Sequence, residues 1–128
     1  MAKFKGADAH LKRLKQMREQ ARKQAGEMVE DLAKQHAEEA KASIVKRETP
    51  SRPGKPPREV TGELKDSIRA EKTGPTSARS IADAPHALSL EFGTEEMKGR
   101  PFMRPAANTV RKDIREKGKA AVKRTQTD

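Results

Sequence analysis

The side chains able to do chemistry are few in this chain, and their spacing argues against a reaction. The three histidines, His10, His36 and His86, stand far apart and lack the close spacing that zinc ligands on one element show. Each reads as a surface or packing histidine. With no cysteine in the sequence, thiolate zinc sites, disulfides and a thiol nucleophile are excluded. No serine occupies a G-x-S-x-G elbow. Glu38-Glu39 and Glu95-Glu96 are adjacent pairs, and neighbours on a regular element do not face each other as a catalytic dyad must. Lys55 follows Gly54, but the Ser/Thr that would complete a phosphate-binding loop is missing. Glu91 could pair with Arg100 or Arg104 and lock the turn at Gly93, a structural task. The side chains point to a protein that is not an enzyme and that carries no cofactor and no metal.

Charge is the other chemistry on offer. The net charge is +10 and the pI about 10.1. Residues 1–25 hold eight Lys/Arg against two Asp/Glu, whereas residues 26–49 hold four against six. Lys12, Arg13, Lys15, Arg18, Arg22 and Lys23 form the basic cluster. It reads as a contact for an acidic protein surface, as a sequence-blind contact for DNA phosphates, or as a solvated face. Single-strand binding finds little support, because 2% aromatics with no Trp or Tyr leave almost no stacking surface. Zinc-finger, helix-turn-helix and RNA-binding signatures are absent.

Residues 3–46 must carry that cluster as one long helix. No proline interrupts them, and Phe4, Ala7, Leu11, Leu14, Ala21, Ala25, Met28 and Leu32 recur at three- and four-residue steps, broken at Arg18. Beyond Leu32 the stripe thins to Ala33, Ala37, Ala40 and Ile44. It suits either a partner helix or the chain's own sheet. Residues 49–60 hold four of the eight prolines and form a loop of polyproline character. A small α+β core over 61–104 follows. Thr61 starts a helical turn with its hydroxyl capping N–H groups near Glu63 and Leu64, and Leu64 and Ile68 share a face. A strand from Ser67 through Glu71, a turn at Gly74-Pro75 and a return strand over Ser77 to Ala82 make a hairpin. Residues 85–92 read two ways. Pro85 and Gly93 are helix end signals, while Leu88, Leu90 and Phe92 alternate as in a strand. Pro105 opens a last helix over 105–124 at its first position, with a thin stripe of Ala106, Val110, Ile114, Ala121 and Val122. Gly118 loosens or ends it, and residues 125–128 are expected to be disordered. The fold class is α+β, a single domain over 1–128: a long N-terminal helix packed on a small antiparallel β-sheet, with a short middle helix and a C-terminal helix.

The core available to this fold is small. Leu, Ile, Val and Phe number 18 of 128 residues, below the roughly 20% under which highly charged chains tend to disorder. An oligomer or a partner is therefore expected to complete it. No apolar run approaches the roughly 20 residues that span a membrane, and the N-terminus lacks the apolar core of a secretory signal.

Four pieces of the sequence form an ordered set: Pro56-Pro57; Thr61-Gly62-Glu63-Leu64-Lys65-Asp66-Ser67-Ile68; Glu91-Phe92-Gly93-Thr94; and Arg100-Pro101-Phe102-Met103-Arg104-Pro105-Ala106. In order and spacing, from about residue 50 to the end, the chain resembles the small neck or tail-completion proteins of long-tailed bacteriophages, the gene-product-ten-like tail-component family. It departs from their pattern in having His86 and no tyrosine before the glutamate. The resemblance implies a virion structural protein, made in the host cytoplasm, that forms a homo-oligomeric ring of six or twelve copies between the head connector and the tail tube or tail terminator. Genomic DNA would pass through the middle and touch it at most nonspecifically; no membrane is involved. Thr61, Gly62, Leu64, Ile68, Glu91, Phe92, Gly93, Thr94, Arg100, Pro101, Phe102 and Pro105 would set the domain's shape. The long helix and the Pro-rich loop, a flexible loop reaching toward adjacent rings in that family, would carry contacts. A basic lumen would hold DNA rather than let it slide, so the basic ends are expected to face protein. The rival reading is a small basic DNA-binding protein without sequence preference.

Overall fold

The computed structural model describes residues 6–59 and 61–127, with the side chains of 126 and 127 left outside that description. Its elements are α1 (Ala7–Ser43), α2 (Glu63–Ser67), β1 (Ile68–Gly74), β2 (Ser77–Ala82), α3 (Ala87–Phe92) and α4 (Met103–Thr127). The expected helix start at residue 3, the stripe position Phe4 and the terminal residue of the expected tail, Asp128, lie outside the described residues. The architecture is α+β: the long helix α1 packs through its C-terminal half on a two-stranded antiparallel sheet and against α4.

α1 is 37 residues long, about 55 Å at 1.5 Å per residue. It ends at Ser43, short of the expected residue 46. Ile44 turns extended, and its N–H closes on the Lys41 carbonyl at 3.1 Å. Ile44 and Val45 are β-branched and favour this change. Lys46 then makes a parallel bridge with Glu59, and the Glu59 N–H donates to the Val45 carbonyl at 2.9 Å.

The Thr61 hydroxyl accepts the Glu63 N–H at 3.3 Å, and Gly62, at φ 81°, turns the chain into α2. The hairpin pairs Ile68 with Ala82 and Lys72 with Ala78, with an irregularity between Lys72 and Gly74. Its turn is seated on α1. A Cβ at Gly26 would lie 2.3 Å from the Pro75 carbonyl oxygen, so glycine is required there for the turn to approach.

Of the two readings of residues 85–92, the helix is the one that forms. It begins at Ala87, after a turn closed by the Ala87 N–H on the Ala84 carbonyl at 3.0 Å. Gly93, at φ 82°, stops it.

Two expectations for the last helix need correction. Met103, not Pro105, is its first residue, so the proline sits third; that position still lies in the first turn, where a missing N–H costs nothing. The helix also runs through Gly118 and past residue 124 to Thr127. Nothing lies within 4 Å of a Cβ at Gly118, and the solvated turn simply continues across it.

The core gathers Ala37 and Ala40 of α1 and Ile44 just past its end with Leu64, Ile68 and Phe102. Ala84, Ala87 and Ala106 complete it. The alanine half of α1 is thus the packed half, because small side chains let the sheet and α4 come close. The stronger stripe fares differently: Leu11 is 55% and Leu14 46% exposed. The hairpin turn reaches only to Gly26, and α4 meets α1 as far as Gln24, whose Oε1 accepts from Arg124 at 3.3 Å. Residues 7–19 are exposed throughout.

Candidate functional site

Glu91 is the hinge of the molecule's most connected corner. It sits near the end of α3, and its carboxylate accepts three backbone N–H groups: Phe102 at 2.9 Å, Met103 at 3.0 Å and Arg104 at 2.9 Å. A helix start leaves four N–H groups without an intrahelical partner. Here Glu91 takes three of them, and the fourth position is Pro105, which has no N–H. The negative charge also faces the positive end of the α4 dipole. The ion pair expected between Glu91 and Arg100 or Arg104 does not form. Arg100 donates from Nε to the Ser51 carbonyl at 3.1 Å. Arg104 lies over the Phe92 ring, 5.5 Å from its centroid.

Backbone contacts tighten the same corner. The Arg100 N–H donates to the Leu90 carbonyl at 2.5 Å, and the Thr94 N–H to the Met97 carbonyl at 2.8 Å. The Thr94 hydroxyl accepts the Met97 N–H at 3.1 Å. A Cβ at Gly93 would lie 2.6 Å from the Gly99 nitrogen, so two strands of chain pass where only a glycine fits. The Gly54 N–H reaches the Gly99 carbonyl at 2.9 Å, which, with the Arg100–Ser51 contact, ties the Pro-rich loop to this corner. Phe102, 1% exposed, plugs the core beneath it.

Eight of the sequence-derived motif positions, Glu91, Phe92, Gly93, Thr94, Arg100, Pro101, Phe102 and Pro105, therefore meet in one clasp. Leu64 and Ile68 lie in the core under it; Thr61 and Gly62 stand beside it, lining a cavity. Phe92 is the exception in character: it is 64% exposed, and Leu88, one turn earlier, 71%. The basic cluster lies elsewhere, on the uncovered half of α1, where Lys12, Arg13, Lys15, Arg18, Arg22 and Lys23 are all exposed. At 100° per residue these six spread over about 220° of the helix circumference; Leu14 and Met17 lie in the remaining gap, and Leu11 falls between Arg18 and Arg22.

Sequence reasoning missed several structural residues. His36 bridges two elements. Its Nε2 donates to the Met103 carbonyl at 2.8 Å, which leaves Nδ1 to accept from the Ser80 hydroxyl. Ser51 is buried, and its hydroxyl finds no partner among the described residues. Neither the His36–Ser80 contact nor the Arg100 contact to the Ser51 carbonyl carries a sequence signal, since each joins segments more than forty residues apart. Gly26, inside the long helix, carries no local signal of the turn that packs on it. On the hairpin's outer face, Asp83 holds the Arg69 guanidinium above its ordinary pKa, by a hydrogen bond first and by charge second. Among the described residues no three His, Cys, Asp or Glu side chains group as metal ligands, and no helix is long and apolar enough to cross a membrane.

A cavity of about 250 Å³ opens between the Pro-rich loop, α2 and α3. Ile44, Leu64 and Leu90 line its apolar part, and Arg58, Glu59, Lys65 and Arg100 stand around it. The volume is below the roughly 300–1,000 Å³ of small-molecule sites; it suits one inserted side chain.

Compared with known families, residues 8–93 match the family described as "Bacteriophage HK97-gp10, putative tail-component". The match covers α1 through Gly93 and stops before Arg100 and α4. Neither curated proteins nor solved structures returned a match.

Proposed function

The chain belongs to the HK97-gp10-like family of bacteriophage tail components, and from that premise we propose that it is a structural protein of the phage neck, acting by assembly rather than by bond-making. Copies form a ring, of six or twelve subunits, between the head connector and the tail tube or terminator. The clasp at Glu91 holds α3, α4 and the Pro-rich loop in one shape, and the surfaces around it meet neighbours. The observation that carries this reading is the uncovered half of α1. A chain with so small a core leaves Leu11, Leu14 and Met17 exposed at 55%, 46% and 44% on one projecting helix, a face suited to burial in a larger assembly. The cations spread around it favour an acidic protein partner.

Light scattering of the purified chain, with and without connector and tail proteins, tests the proposal. A closed oligomer, or a monomer that assembles once those proteins are added, is expected. A folded monomer that joins neither would overturn it. The DNA-binding reading draws on the same exposed cluster and predicts a duplex shift abolished by K12E, R13E and K15E. The wide spread of these cations around α1 disfavours it, since no single face is matched to a groove.

A further inference from the structure

We propose that the outer face of α3 is a knob that enters the cavity of a second copy of this chain, so that successive subunits join head to tail. The proposal rests on the ring reading above and names the surfaces that would build it.

The two surfaces lie on opposite sides of one short helix. His86 and Leu90 line the cavity. Leu88 and Phe92 sit two residues further on, about 200° around the helix, and are 71% and 64% exposed. A subunit therefore cannot fill its own cavity with its own knob. Knob and hole on different faces make a heterologous contact, which repeats in one direction and closes into a ring when the rotation allows. Size agrees: about 250 Å³, lined in part by Ile44, Leu64 and Leu90, suits one aromatic anchor of the kind that dominates interfaces. Arg104 covers one face of the Phe92 ring, and Leu88 widens the apolar surface beside it.

Charge agrees as well. Around the cavity, Arg58 donates to the Arg47 and Glu48 carbonyls and Arg100 to the Ser51 carbonyl, so neither guanidinium meets a carboxylate in its own chain. Lys65 has only a loose contact with Glu59, at 3.9 Å. Just beyond the knob, Glu95 and Glu96 are exposed and form no ion pair among the described residues. Exposed acids without ion-pair partners among the described residues follow the knob, and three cations against one acid, Glu59, surround the hole. Lys98 and Arg104 offset part of the acidic charge, which leaves the apolar anchor as the main source of binding and the charges as the source of orientation.

The chain has no cysteine, so introduced thiols report unambiguously. Phe92→Cys and Thr61→Cys, one on the knob and one at the exposed cavity edge, are prepared separately, mixed and oxidised at concentrations where light scattering shows assembly. The same pair is tested in phage tails that carry both variants. A disulfide-linked dimer from the mixture, and from neither variant alone, is expected. The double variant should give a ladder that stops at the ring size. Phe92→Asp, at an exposed position, should keep the circular dichroism of the parent and weaken association roughly tenfold or more. Efficient linking of Phe92→Cys to itself would show two knobs face to face and overturn the head-to-tail contact. Assembly without the mixed dimer, or undiminished in Phe92→Asp, would overturn the proposal and leave the ring standing. A chain that assembles neither alone nor in tails would overturn both.

Discussion

Glu91 shows how one side chain joins three parts of a small protein. Its carboxylate caps α4 while the backbone around it carries the turn at Gly93. Removing it strands three N–H groups at a helix start, and hydrogen bonds to a charged acceptor are among the stronger ones. Glu91→Ala is expected to cost about 2–3 kcal/mol, read as a lowered urea midpoint. Glu91→Gln keeps one acceptor oxygen and should cost about 1 kcal/mol. Equal, negligible losses for both would mean that the cap is dispensable. Gly26 and Gly118 form a second comparison at this scale. Both lie inside helices, where alanine is ordinarily better by up to about 1 kcal/mol. Gly118→Ala should realise a gain of about 0.5–1 kcal/mol, since its surroundings are open. Gly26→Ala should instead lose about 1–3 kcal/mol, because the Pro75 carbonyl occupies the methyl's place. The sign difference, measured by thermal melts of the two variants, reports whether the hairpin turn rests on α1.

α1 divides into two halves with different tasks. Its C-terminal half packs through alanines, and its N-terminal half carries larger apolar residues that no described element covers. Amphipathic pattern alone does not distinguish these, since a stripe says that a face will be buried and not by whom. Leu11→Asp combined with Leu14→Asp should leave the stability of the isolated chain within about 0.5 kcal/mol. The same pair should block incorporation into tails, as measured by complementation with a phage lacking the protein. A large loss of stability in the isolated chain would show that the stripe is covered internally. α3 read as helix or strand from the sequence, its end signals favouring the helix, and its outward-facing Leu88 and Phe92 had the spacing of a buried face. Helical periodicity placed the two side chains together; what they meet depends on the position of α3 at the edge of the fold.

At the scale of the molecule, the core is thin. The largest side chains fully withdrawn from water are Phe102, Ile44 and Ile68, and much of the remainder is alanine. Such a chain gains stability from anything that binds only its folded form. Its melting temperature should therefore rise with protein concentration, by about 3–5 °C per tenfold for a chain of this size, in calorimetry over two decades of concentration. A melting temperature independent of concentration would indicate a monomer that needs no neighbours.

The sequence by itself determined the element order, the α+β class, the hairpin with its Gly74-Pro75 turn, and the family. Those depend on local spacing, on glycine and proline, and on ordered short motifs, all of which are written along the chain. It also brought forward Glu91, Gly93 and Phe102 as a group. Tertiary structure decided what each of them touches. Glu91 meets backbone N–H groups instead of arginines, because α3 ends against the first turn of α4 and a nearby row of N–H groups outcompetes a solvated guanidinium. The same structure decided that the weak alanine stripe is core and the strong leucine stripe is surface. Burial depends on where the hairpin turn and the end of α4 come to rest, and those distances are set by packing between segments far apart in sequence.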